Sequence, residues 1–137
     1  MGDIKRVYLV DDDEINNFIC VNIIQKIGFA QRVDSFEKGR DALDFLEKTA
    51  AQTPNELPEI IFLDINMPIM NGWDFLEEYS ELKAKYNLNI DLYMLSSSIY
   101  QADVDKSKSY GDVVDFVTKP LREESLNAIK EKFFKEA

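Results

Sequence analysis

Short apolar runs alternate with longer amphipathic stretches along this chain, and the alternation predicts its architecture. Val7-Tyr8-Leu9-Val10 is a continuous apolar run that stops at Asp11-Asp12-Asp13, the pattern of a strand buried on both faces. From Glu14 the apolar positions become Ile15, Ile19, Ile23 and Ile27, with Cys20 and Ile24 beside them. That is one stripe of an α-helix, and Gly28 is its stop. Arg32 to Phe36 reads as a weaker second strand, and Ala42, Leu43, Phe45 and Leu46 as the apolar side of a helix ending near Thr49. The stretch from Ala50 to Pro58, with Pro54 inside it, is expected to be a loop. Ile60-Ile61-Phe62-Leu63 is a third strand that ends at Asp64, and Phe75, Leu76, Tyr79 and Leu82 mark a third helix. Leu92 to Leu95 is a fourth strand ending at Ser96. Gln101 to Tyr110 is expected to be a helix with a thin apolar stripe, Ala102 and Val104. Val113 to Val117 is a fifth strand ending at Thr118-Lys119-Pro120, and Leu126, Ile129 and Phe133 belong to a last helix.

Five rounds of strand then helix imply an α/β fold, a doubly wound parallel sheet with helices on both faces, because right-handed crossovers place them there. Ligands of such sheets bind at the carboxyl ends of the strands. Four strands here end in polar groups: Asp11-Asp12, Asp64, Ser96 and Lys119. Gathered carboxylates repel one another, and a hard divalent cation such as Mg²⁺ relieves this with carboxylates, a carbonyl and waters as ligands. A lysine and a hydroxyl opposite would complement an anion carried by the cation. The arrangement suggests a phosphoryl group on or near a carboxylate. Taken singly, each residue could be only a helix cap, and Asp12 or Asp13 could cap the first helix. Capping does not account for Lys119 directly after a buried apolar strand.

Composition narrows the chemistry. The chain has 137 residues, 45% of them hydrophobic and 31% charged, the balance and size of one globular domain spanning 1–137. A net charge of −10 argues against nucleic acid or anionic membrane as partner. The absence of histidine removes Ser-His-Asp and Cys-His catalysis and every His-ligated metal site. Cys20 has no second cysteine to pair with and reads as a small core residue; Trp73 is expected to pack at the start of the third helix. No apolar run is long enough to span a bilayer, and the start, Met1 to Arg6, lacks a signal-peptide core. Cytoplasmic localisation is the expectation.

The motifs are those of a known family. Val10-Asp11-Asp12-Asp13, Leu63-Asp64-Ile65-Asn66-Met67-Pro68-Ile69-Met70-Asn71-Gly72, Met94-Leu95-Ser96-Ser97-Ser98 and Phe116-Val117-Thr118-Lys119-Pro120 each follow the expected strand. The chain resembles the receiver domain of two-component response regulators, in its single-domain, chemotaxis-regulator form without an attached output domain. The resemblance implies a flavodoxin-like (βα)5 sheet of order 2-1-3-4-5. It implies that Asp64 is the phosphoacceptor, attacking the phosphohistidine of a histidine kinase or phosphotransfer protein. It implies Asp11, Asp12, Asp64 and the backbone carbonyl of Asn66 as the Mg²⁺ site, with Mn²⁺ as a substitute. Lys119 and Ser96 would hold phosphoryl oxygens, and Phe116 with Ser96 would form the switch. The Lys119–Pro120 peptide would be cis. Catalysis by positioning and charge neutralisation follows, so the protein promotes its own phosphorylation and dephosphorylation without being a conventional enzyme. Output would be binding to a downstream protein target or onward relay, through the fourth helix, fifth strand and fifth helix. Asn66 and Ser98, positions that commonly tune loss of the phosphoryl group, are uncharged.

Other classes fit less well. A haloacid-dehalogenase-type enzyme would use Asp11-x-Asp13, but position 15 is Ile where Thr or Val is expected, and the Asp64 motif would be unexplained. A binding module that is never phosphorylated would not need every site residue type present. A flavin site would need Gly and hydroxyls in the acidic first loop.

Overall fold

The structure, a computed structural model, describes residues 4–136; residues 1–3 and 137, where the ends of the expected 1–137 domain and part of the Met1 to Arg6 start fall, lie outside the described residues. The elements run β1 (Ile4–Val10), α1 (Glu14–Lys26), β2 (Ala30–Phe36), α2 (Gly39–Gln52), β3 (Ile60–Asp64), α3 (Gly72–Tyr86), β4 (Asp91–Ser96), α4 (Gln101–Ser107), β5 (Val113–Thr118) and α5 (Glu123–Glu136), with a short 3₁₀ turn at Pro54–Glu56. All five strands form one sheet in the order β2-β1-β3-β4-β5, every pair parallel. The expected fold is therefore observed.

The alternating faces of the central strands build two cores. Tyr8, Val10, Ile61, Leu63, Leu92 and Met94 pack with α2 and α3 through Leu43, Leu46, Phe75, Leu76 and Tyr79. Val7, Leu9, Ile60, Phe62 and Leu95 pack on the other side with Cys20 and Ile24 of α1 and Leu126 and Ile129 of α5. Strands covered on both faces read as unbroken apolar runs, which is why β1 and β3 were legible.

Three expectations need correction. Ile15 and Ile19 do not face the core; they are 73% and 45% exposed, and the inner face of α1 is Asn16, Asn17, Cys20 and Ile24. The helix is turned by polar bonds at its first turn, described below, rather than by the isoleucine stripe. Second, α2 continues to Gln52 with Ala50 buried, so the loop begins only at Thr53. Third, α4 stops at Ser107 and contains no buried residue. Its end is taken over by Tyr110, which stacks on Trp73 of α3 at 5.5 Å between ring centroids.

Candidate functional site

Parallel strands end together, so Asp11 after β1, Asp64 at the end of β3, Ser96 at the end of β4 and Lys119 after β5 share one edge of the sheet. One carboxylate oxygen each from Asp11, Asp12 and Asp64 lies within 4.8 Å of the other two. Asp11 and Asp64 are buried and Asp12 is exposed, so the cluster opens to solvent on one side. The Lys119 ammonium reaches into it, 2.8 Å from Asp11 Oδ2 and 3.1 Å from Asp64 Oδ1.

Each carboxylate is aimed by its own neighbours. Asp13 takes the cap of α1, its side chain accepting the backbone N–H of Asn16 at 3.1 Å, which leaves Asp12 free for the cluster. Asp11 Oδ1 accepts the backbone N–H of Asp13 at 2.9 Å, and Oδ2 accepts the Asn16 amide at 2.8 Å. Asn17 donates its amide to the Asp11 carbonyl at 2.7 Å. Neither asparagine stood out in the sequence; the available signal was a polar pair five and six positions after Asp11, where an apolar stripe should begin.

On the β3 side, Asp64 Oδ1 accepts the backbone N–H of Asn66 at 3.3 Å, and no protein donor reaches Oδ2 among the described residues. The loop beyond is closed by the Gly72 N–H on the Ile65 carbonyl at 2.8 Å. A side chain at Gly72 would stand 2.8 Å from the Asp64 carbonyl, so glycine is required for this close approach. Asn71 and Asp74 form a reciprocal capping box that starts α3 at once. Ile69, at φ 67 and fully exposed on the loop crest, is held in a conformation β-branched residues rarely adopt.

Burial, and next the charge of Asp11, push the Asp64 carboxyl up to about 7, against the opposing pull of Lys119. Burial works to lower Lys119, but its bonds to Asp11 and Asp64 outweigh this and hold the ammonium above its ordinary value. One lysine cannot balance three carboxylates, and the unmet charge, with hard oxygen donors only, fits a small divalent cation such as Mg²⁺.

Ser96 is buried, but its hydroxyl donates to the Ser98 carbonyl rather than into the acidic cluster. The Lys119 N–H bonds the Ser96 carbonyl at 2.9 Å, tying the β4 and β5 ends together, and the Lys119–Pro120 bond is cis. Asn66 is exposed beside Asp64. Phe116 is half-buried on β5 and lines the two grooves that flank that strand. Trp73 packs at the start of α3, and Cys20 is buried with its thiol pushed up by burial.

A family model described as the response regulator receiver domain matches residues 7–131. A two-component response regulator of Oryza sativa subsp. japonica is 30% identical over 128 residues, which cover 93% of each chain. A protein-glutamate methylesterase/protein-glutamine glutaminase of Treponema denticola is 35% identical over 93% of this chain and 31% of its own length. Hybrid signal transduction histidine kinase L of Dictyostelium discoideum is 30% identical over 95% of this chain, which spans only 7% of that protein. Among solved structures, a two-component response regulator from Cytophaga hutchinsonii superposes with a TM-score of 0.88 at 30% identity, over 98% of this chain and 99% of that one. No described helix is long and apolar enough to cross a membrane.

Proposed function

The chain belongs to the response regulator receiver domain family, the phosphorylation-dependent switches of two-component signalling, and on that premise we propose that Asp64 is its phosphoacceptor. The observation that carries the reading is the convergence of Asp11, Asp12, Asp64 and Lys119 at one sheet edge, with Asp64 Oδ2 free of protein donors among the described residues. A carboxylate oxygen of Asp64 attacks the phosphorus of a phosphohistidine on a histidine kinase or phosphotransfer protein. The P–O bond forms, the P–N bond breaks, and the imidazole leaves. Asp11, Asp12, Asp64 and the Asn66 carbonyl would hold Mg²⁺, which screens the approaching phosphoryl oxygens from the carboxylates.

This chain's residues do the rest by position. Lys119, now shared between Asp11 and Asp64, moves its ammonium to a phosphoryl oxygen. Ser96 gives up the Ser98 carbonyl for another. The strand-end shift then admits Phe116 inward, and the surface of α4, β5 and α5 changes for a downstream protein or relay partner. Phenylalanine keeps the steric part of this switch without a hydroxyl to hold either rotamer.

Intact-mass measurement after incubation with acetyl phosphate and Mg²⁺ tests the reading. One added phosphoryl group, absent in Asp64→Asn and without metal, is expected. An adduct that persists in Asp64→Asn overturns the assignment.

A further inference from the structure

We propose that Asn16 is the positioning residue that frees Lys119 to leave Asp11 when a phosphoryl group arrives. The inference rests on the reading of Asp64 as phosphoacceptor and names a part that reading lacks. Asp11 is 0% exposed, and a buried carboxylate needs compensation at both oxygens. Oδ1 has the Asp13 backbone N–H, whereas Oδ2 is held by two donors, the Asn16 amide and the Lys119 ammonium, each at 2.8 Å. Lys119 therefore stabilises Asp11 in the resting form and must serve the phosphoryl oxygens afterwards. Mg²⁺ held in the cluster would take up part of the Asp11 charge, but Oδ2 still needs a protein donor once the lysine leaves. Asn16 is that donor.

The residue is built into the place. Its side chain is buried, and its backbone N–H is fixed by the Asp13 cap at the first turn of α1. The Asn17 bond to the Asp11 carbonyl locks the same turn from the other side. An amide suits the task because it is neutral. It compensates Asp11 without the positive charge that would repel Mg²⁺, and unlike arginine it does not compete for the phosphoryl oxygens. An apolar residue, the ordinary choice for a buried helix face, would leave Asp11 Oδ2 with the lysine as its only protein donor among the described residues. This explains why α1 turns Asn16 inward and leaves Ile15 and Ile19 in solvent.

The test separates metal binding from phosphoryl binding. On the full chain and on Asn16→Ala and Asn16→Asp, calorimetric titration is made with Mg²⁺ alone, then with beryllofluoride at saturating Mg²⁺. The initial rate of acetyl phosphate labelling is read by intact mass, and thermal unfolding checks folding. Asn16→Asp keeps the shape while removing the donor, and it carries the test if Asn16→Ala does not fold. We expect Mg²⁺ affinity unchanged or tighter, and beryllofluoride affinity and labelling rate lower by about tenfold or more, the scale of one lost bond to a charged group. Equal losses of Mg²⁺ and beryllofluoride binding would mean a merely structural role and overturn the proposal, as would variants that behave as wild type. Wild-type protein that neither labels nor binds beryllofluoride would instead overturn the reading of Asp64 and the proposal with it.

Discussion

Strands β3 and β5 both deliver a residue to the acidic cluster, and they are built to opposite rules. All five residues of β3, Ile60–Asp64, are buried, and β1 and β4 pair with it on both sides. Strand β5 lies at the sheet edge with only Val117 buried, and its pairing with β4 slips register between Leu92 and Tyr93. Grooves of about 490 Å³ flank it on each side, sharing Asp115 and Phe116. Beside it, α4 has no buried residue and leans on α3 through Lys106, whose ammonium sits 5.0 Å over the Trp73 ring, and through Tyr110. The difference assigns roles. On the proposed reading, the phosphoacceptor stands on a fully covered strand, and the lysine and the readout surface stand on or beside a thinly covered one, the kind of element that opens at low cost.

Core truncation sharpens the comparison most. Phe62→Ala on β3 is expected to cost about 3–5 kcal/mol of stability, while Val114→Ala on half-buried β5 should cost less than about 1.5 kcal/mol. Urea denaturation measures both, and equal costs would erase the contrast.

Next comes the pH dependence of the metal-free protein. The Asp64 carboxyl is raised to about 7, so the folded form binds more protons than the unfolded one from the ordinary carboxyl range up to there. The stabilising effect of that proton is full at low pH and is lost as pH rises through about 7. Asp64→Asn should therefore raise the metal-free melting temperature at pH 8 relative to wild type, by about 1–3 kcal/mol in stability, with a much smaller gain at pH 5. A gain of the same size at both would contradict the assignment of charge strain to Asp64. Mg²⁺ should reduce the difference at pH 8 by stabilising wild type.

A smaller effect is expected at the α4 contact. Lys106→Ala removes the cation over Trp73, worth about 0.5–1 kcal/mol at an exposed site, and should speed amide exchange in α4 without touching β3. Exchange in α4 that stays at the wild-type rate would show that other contacts hold the helix.

The same contrast governs what could be read from sequence. Element order, the parallel sheet and the strand-end site were legible because Val7–Val10 and Ile60–Leu63 carry the unbroken apolar signature of doubly covered strands, and topology then brings their ends together. Where packing does not decide, periodicity failed. On α1 two overlapping stripes compete, and the bonds of Asn16 and Asn17 to Asp11 select the less apolar one. Pro54 suggested an early loop, yet burial of Ala50 carries α2 onward. The Ser96 hydroxyl bonds its own loop, a rotamer choice that no residue pattern encodes.

Amide hydrogen exchange with and without beryllofluoride and Mg²⁺ tests the division between fixed acceptor and movable readout most directly. The account predicts altered protection across residues 97–118 with the peptides of β3 unchanged beyond Asp64 itself. Protection that changes in β3 while α4 and β5 stay as they were would contradict it.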